Sequence, residues 1–252
     1  MKKIIFTIGL SLFVGTVQGA GKFRVSVGLD YSTGDYGAAD STDIWSTSVG
    51  SRYKTGRWTF KGTLPYLHLT GPGSIAGPDG VPVPGATPGT ATKHGLGDLQ
   101  LSAAYLAYYD AAAKHGLSVK SKMKVPTASY SKRLGTGELD VSFQLDPFKV
   151  IGNTTLFGTL GRKYYGDPSG VEYRDVWYGR AGAMYKTSEK LEFGFSAGAR
   201  QKVTATSDPR KDINLFVVKH LDKANKLQAY VLKGFSDSTA DVGAGLLWMH
   251  AY

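Results

Sequence analysis

Alternation organises the hydrophobic residues of this chain. Phe23, Val25, Val27, Leu29 and Tyr31 occupy every second position. The same two-residue period returns over residues 45–53, 58–66, 99–109, 117–125, 139–145, 177–185 and 191–199. A less regular segment covers 154–165, and further segments cover 213–221, 227–235 and 241–252. A period of two marks a strand with one apolar and one polar face. Twelve antiparallel strands are predicted, an even number.

Strand length narrows the architecture. Most stripes run about nine to twelve residues, whereas strands of water-soluble domains average about five or six. About ten residues tilted at roughly 45° cross the hydrocarbon core of a bilayer. The connections alternate as well. Residues 54–57, 110–116, 187–190 and 222–226 are short, whereas 32–41, 70–94, 128–137, 167–175 and 204–211 are mostly longer and rich in Gly, Pro, Ser and Asp. Short turns at one end and long loops at the other are the pattern of outer-membrane barrels. Tyr31, Trp45, Tyr53, Trp58, Tyr66, Tyr109, Trp177 and Tyr185 sit near stripe ends, where interfacial girdles belong. Leu246, Trp248 and Tyr252 share a face of the last strand, which resembles the terminal signal read by bacterial barrel-assembly machinery. The expected fold is an all-β, transmembrane, up-and-down antiparallel barrel of twelve strands; a soluble all-β sandwich would not explain these features together.

Composition refines this picture. Lys2 and Lys3 precede an apolar stretch over residues 4–14, and Val17-Gln18-Gly19 offers a small-residue cleavage site. Residues 1–19 therefore read as a secretory signal peptide and 20–252 as one barrel domain. An apolar span of eleven is too short for a transmembrane helix. Removing the two lysines lowers the net charge from +10 to +8. The absence of cysteine excludes disulfide staples, thiol chemistry and Cys-ligated metals.

The polar faces of the strands carry the charge. Lys120, Lys122 and Lys124 alternate with Val119, Met123 and Val125. Each lysine on the lipid side would cost roughly 2–4 kcal/mol at mid-membrane, so all three are expected to face the lumen. The same parity turns Arg24, Arg52, Lys61, Arg180, Lys186, Arg200 and Lys202 inward, together with Asp98, Asp140, Asp146 and Glu192. Lys61, Lys120, Lys122, Lys124, Arg180, Arg200 and Lys202 are the candidate solute-path residues. Their positive balance implies either a hydrated, anion-favouring lumen or a closed plug of paired charges. Residues 71–95 hold five of the ten prolines and form either an outside cover or a constriction folded into the mouth.

Other chemistries fit poorly. Gly95-Leu96-Gly97 and Gly135-Thr136-Gly137 lack the lysine and following helix of a phosphate loop, and read as places where loops re-enter strands. The positive charge is spread over many strands, which disfavours nucleic acid. The five histidines show no metal spacing. Outer-membrane phospholipase A has His-x-Ser, but no His here is followed two residues later by Ser, and the acid pairs of an omptin-like protease are missing. Neither an enzyme nor a cofactor is expected.

Gly97-Asp98-Leu99 with Tyr105, Lys120 to Lys124 followed by Val125-Pro126-Thr127, and Leu134-Gly135-Thr136-Gly137 with Asp140 resemble an outer-membrane family associated with meta-pathway phenol degradation. Ala128 stands where that family usually has glycine. The resemblance implies a channel or transporter for small organic compounds. The expected function is passive diffusion of small anionic or aromatic organic solutes, with membrane lipid and the assembly machinery as partners. The alternatives are a closed barrel that docks another protein and, more remotely, an outer-membrane enzyme.

Overall fold

The computed structural model describes residues 21–73, 75–77, 80–83 and 90–252; residues 1–19, expected to be a signal peptide, lie outside these. Its strands are β1 (Lys22–Gly34), β2 (Thr42–Thr55), β3 (Trp58–Gly71), β4 (Ile75–Ala76), β5 (Val81–Pro82), β6 (Ala91–Leu96), β7 (Leu99–Asp110) and β8 (His115–Val125). There follow β9 (Asp140–Ile151), β10 (Thr154–Tyr164), β11 (Val176–Ser188), β12 (Leu191–Arg200), β13 (Arg210–His220), β14 (Asn225–Gly234) and β15 (Val242–Ala251). Each long strand pairs antiparallel with its neighbour in sequence, and β1 pairs with both β2 and β15. The ring therefore closes, with no free edge.

The ring has twelve staves. Eleven are single strands, and the twelfth is β6 followed by β7: both pair with β3, β6 at the loop end and β7 below it. Between them the register slips by one residue at Gly97-Asp98, a bulge in which Gly97 N–H donates to the Pro65 carbonyl at 2.8 Å. The slip keeps Leu96 and Leu99 outside and turns Asp98 inside, where it is buried. A second bulge lies between Leu106 and Tyr108. It corrects the expected stripe over 99–109: Tyr108, opposite Leu117, takes the outward place, while Tyr109, opposite Gly116, stacks on Phe148.

The burial pattern is the inverse of that in a soluble protein. Val27, Leu29, Val49, Leu160, Phe195, Leu215, Val231 and Leu246 all stand 44–55% exposed, while Ser46, Asp98, Lys124, Asp140, Gln144 and Asp212 are buried. An exposed apolar outer face with polar groups enclosed is the solution a chain finds when its solvent is lipid. Aromatic rings gather at both rims. Trp248, His250, Tyr252 and Phe23 form a chain of ring contacts at the turn end. Tyr31 lies against Trp45 at the loop end, with ring centroids 4.8 Å apart.

Among the described residues, the buried apolar clusters lie at the loop end, and they fix the long loop between β3 and β6. Ile75 packs with Ile44, Leu67, Leu69, Ala128 and Leu134. Val81 packs on the opposite wall with Tyr165, Tyr173, Val176 and Val203. Tyr173 donates to the Pro82 carbonyl at 2.7 Å, and burial pushes its phenol above the usual range. The small β4–β5 hairpin thus lies across the mouth of the barrel. Of the two readings open for residues 71–95, the described part of the loop is the one folded into the mouth.

Candidate functional site

Beneath the hairpin the lumen opens into a cavity of about 440 Å³. Strand alternation supplies its lining: every second residue of β8 through β13 points inward, which gathers Lys120, Lys122, Lys124, Lys163, Arg180, Arg200 and Arg210. Asp140 and Asp212 are the carboxylates that line it. Gln100, Ser142, Gln144, Thr159, Tyr165 and Tyr178 complete the polar wall.

Many of these charges are paired. Lys120 lies 2.6 Å from Asp146, which also accepts from Thr159 at 2.7 Å. Arg180 pairs with Asp212 and donates to Ser196 at 2.9 Å, and Arg210 reaches Asp212 at 3.4 Å. Arg200 donates to the Tyr165 hydroxyl at 3.1 Å, while its Nε is buried with no hydrogen-bond partner. The Lys122 ammonium lies 5.8 Å from the centre of the Tyr178 ring, and Tyr178 donates to Gln144 at 2.9 Å. Tyr178 and Tyr165 set aromatic surface beside Lys122 and Lys163.

At the top of the cavity sits a different arrangement. Lys124 Nζ donates to Asp98 at 2.9 Å, to Thr136 at 2.9 Å and to the Glu138 carbonyl at 2.8 Å, and lies 3.7 Å from Asp140. The other oxygen of Asp98 accepts from Ala128 N–H at 3.0 Å. Lys163 approaches Asp140 to 3.1 Å. Thr127 bridges the bulge, donating to the Gly97 carbonyl and accepting from Leu99 N–H, both at 2.9 Å. Gly135 is required by close approach, since a Cβ there would lie 2.5 Å from Asp98. Ala128 has no left-handed backbone conformation, which explains why alanine serves where glycine is usual. The Gly-Asp, Lys, Pro-Thr and Gly-Thr-Gly segments noted in the sequence therefore converge on one buried knot that ties the β8–β9 loop to the β6–β7 bulge.

Of the candidate solute-path residues, the cavity brings together Lys120, Lys122, Lys124, Arg180 and Arg200. Lys61 lies on the adjoining wall, across Ser102 from Lys122. Lys202 is a correction: β12 ends at Arg200, and Lys202 lies in the exposed loop beyond, with its ammonium on the Ala205 carbonyl at 3.1 Å. Strand alternation does not extend past the last ladder bond. Lys163 and Arg210 are cavity residues that the sequence reading passed over. Leu156, Leu160 and Tyr164 share an outward parity that places Lys163 inside, but Arg162 on the same outward face obscures the pattern. Lys186 lies opposite Glu192 near the turn end, away from the cavity.

The sequence model of the family described as "Putative MetA-pathway of phenol degradation" matches residues 15–246. The chain belongs to this family. No curated protein sequence matches it. Among solved structures it is similar to the NanC porin, with 8% identity, a TM-score of 0.60 and coverage of 90% of this chain and 98% of that one. The KdgM porin follows at 9% identity and a TM-score of 0.55, covering 90% and 99%. The β domain of the Bordetella autotransporter BrkA reaches 14% identity and a TM-score of 0.50, covering 92% and 99%. These likenesses show the outer-membrane barrel fold, which porins and autotransporter translocators share.

Proposed function

We propose that the protein is an outer-membrane channel for passive diffusion of small anionic organic solutes, aromatic carboxylates among them. The observation that carries this reading is the cavity of about 440 Å³, lined by seven Lys and Arg side chains against two Asp. Such a lining lowers the free energy of an anion inside the barrel relative to a cation. Tyr165 and Tyr178 offer flat apolar surface for an aromatic body. The β4–β5 hairpin sets the size that passes. Export by the predicted signal peptide, cleaved after residue 19, and insertion by the assembly machinery belong to the same proposal.

A second reading, a closed barrel that docks a partner, is favoured by one observation, the hairpin lying across the mouth. Single-channel current in a planar bilayer under a KCl gradient separates the two. Discrete conductance with a reversal potential favouring chloride is expected from the refolded chain. A folded barrel that stays silent would overturn the channel, and cation preference would overturn its anionic solutes.

A further inference from the structure

The register of the strands arranges the inward cations in rows. Arg24 on β1 is directly opposite Arg52 on β2, and Arg52 is opposite Lys61 on β3. Lys61 faces Ser102, Ser102 faces Lys122, Lys122 faces Ser142, and Ser142 faces Lys163 on β10. Five cations and two serines thus follow one another around half the barrel, and the row holds no acid. Like charges directly opposite on paired strands are unfavourable, so the arrangement does not serve folding.

The row next to it toward the turns shares this character, with Lys22, Lys54, Lys120, Arg200 and Arg210 joined through uncharged residues and no acid; the rows beyond these two differ. On the loop side, Ser26, Gly50, Thr63 and Gln100 are neutral and lead to Lys124 and Asp140, which lie opposite each other. Farther toward the turns, the row through Ser118, Asp146, Thr159 and Arg180 alternates in sign. Asp140 and Asp146 therefore stand to either side of these cationic rows, not on them. Arg24, Arg52 and Lys61 make no ion pair among the described residues, and Arg52 Nε has no hydrogen-bond partner. Lys61 lies in the combined field of Arg52, Lys120, Lys122 and Arg24.

The row also climbs. Arg24 is the third residue of β1, at the turn end, and Lys163 is the last but one of β10, at the loop end. Six strand-to-strand steps of about 4.8 Å give a path of roughly 29 Å. With strands tilted about 35–45°, that path rises roughly 19 Å, most of the apolar band of about 25 Å. Beyond the triplet Arg24, Arg52 and Lys61 at the base, successive cations stand about 10 Å apart, two strand spacings, with a serine hydroxyl between them.

We infer that this row is a transfer track for small organic carboxylates, and that dicarboxylates bridging successive rungs are its preferred ligands. A second carboxylate engages the next ammonium before the first lets go, which a monoanion cannot do. The inference rests on the channel reading and deepens it.

Bilayer recordings with the wild-type chain, the double variant Arg52→Gln/Lys61→Gln, the single variant Lys122→Gln and the off-row control Lys186→Gln test it. Each is checked for the gel-mobility shift of a folded barrel. Both row variants are expected to lower the chloride-to-potassium permeability ratio several-fold, with Lys186→Gln unchanged. In the wild type, terephthalate is expected to block chloride current at several-fold lower concentration than benzoate, and the double variant should lose that difference. An anion-selective wild type whose row variants match the control overturns the track and leaves the channel standing. Equal block by the two carboxylates overturns the preference for dianions. A silent wild type overturns both readings.

Discussion

Two groups of charge face the same lumen from neighbouring strands, and they are built on opposite terms. Around Lys124 every polar group has a partner: Asp98, Asp140, Thr136 and the Glu138 carbonyl surround the ammonium, and the side chains of Lys124, Asp98 and Asp140 are all less than 10% exposed. From Arg24 through Arg52 to Lys61, cations stand side by side in register with no ion pair among the described residues. The alternation that turns a lysine inward is the same in both places. What differs is whether a carboxylate from another segment arrives to meet it. A buried ion pair is a structural joint, and removing one partner strands the other charge. A row of like charges is a standing cost to folding, and the proposed track gives that cost a use.

The sharpest way to break this comparison is to attack one member of each group. Asp98→Ala is expected to cost about 3–5 kcal/mol, the usual loss when one partner of a buried pair is removed. Ala128 N–H loses its acceptor at the same time. Urea unfolding of the lipid-embedded barrel measures this. Arg52→Gln is expected to be neutral or to stabilise by up to about 1 kcal/mol, since it relieves two like-charge contacts. Equal losses in the two variants would erase the distinction between joint and track.

The hairpin offers the next largest effect. Ile75 and Val81 are nearly fully buried, one against each wall. Replacing both with Asp is expected to cost the hairpin about 2–5 kcal/mol of docking free energy per site. The barrel itself is held by its closed ladder of strand pairs, so its unfolding should change little while single-channel conductance rises. Unaltered conductance with the hairpin detached would place the constriction lower, among the charges.

How much of this was legible in the sequence follows from the range of each interaction. Alternation is local, so the twelve staves, the inward faces of Lys120, Lys122 and Lys124, and the outward stripes could be read directly. Strand ends are set by the last ladder bond, which is why Lys202 was assigned to a face that β12 no longer has. The slip at Gly97-Asp98 and the one before Tyr108 depend on pairing with β3 and β8, and nothing in the local pattern announces them. The rows are further out of reach. They exist only once register joins Arg24 to Arg52 and, through Ser102, Lys61 to Lys122, residues that are remote in sequence. The resemblance segments were visible one by one, but their meeting around Asp98 required the closed fold.

A smaller effect contrasts a cation on the outer face with those inside. Arg162 points outward at the loop-end rim, its guanidinium 5.4 Å from the Tyr164 ring centre and 5.7 Å from that of Trp177, and 3.8 Å from Asp175. Two aromatic faces and a half-exposed carboxylate let a charge sit at the membrane boundary. Trp177→Ala is expected to lose about 0.5–1 kcal/mol from the cation–π contact alone, and Asp175→Asn less than about 1 kcal/mol. Urea titration of the two variants ranks them, and a larger loss from Asp175→Asn would reverse the assignment of what holds Arg162.

The smallest expected effect lies in water, at the turn between β13 and β14. Asp222 accepts from the Asn225 side chain at 2.7 Å and from the backbone N–H groups of Ala224 and Asn225 at 2.8 Å. Those donors, the Asn225 amide first, hold its carboxyl below the usual carboxylate range. A depressed folded-state pKa means the ionised form stabilises the turn above the unfolded value of about 3.9 and that this contribution fades as pH falls through the lower folded value. Asp222→Asn should therefore narrow its stability difference from the wild type as pH drops from 6 toward 3, whereas the difference for Arg52→Gln should stay level, because a guanidinium keeps its charge throughout. A pH-independent deficit for Asp222→Asn would show that the side chain holds the turn by shape and not by charge.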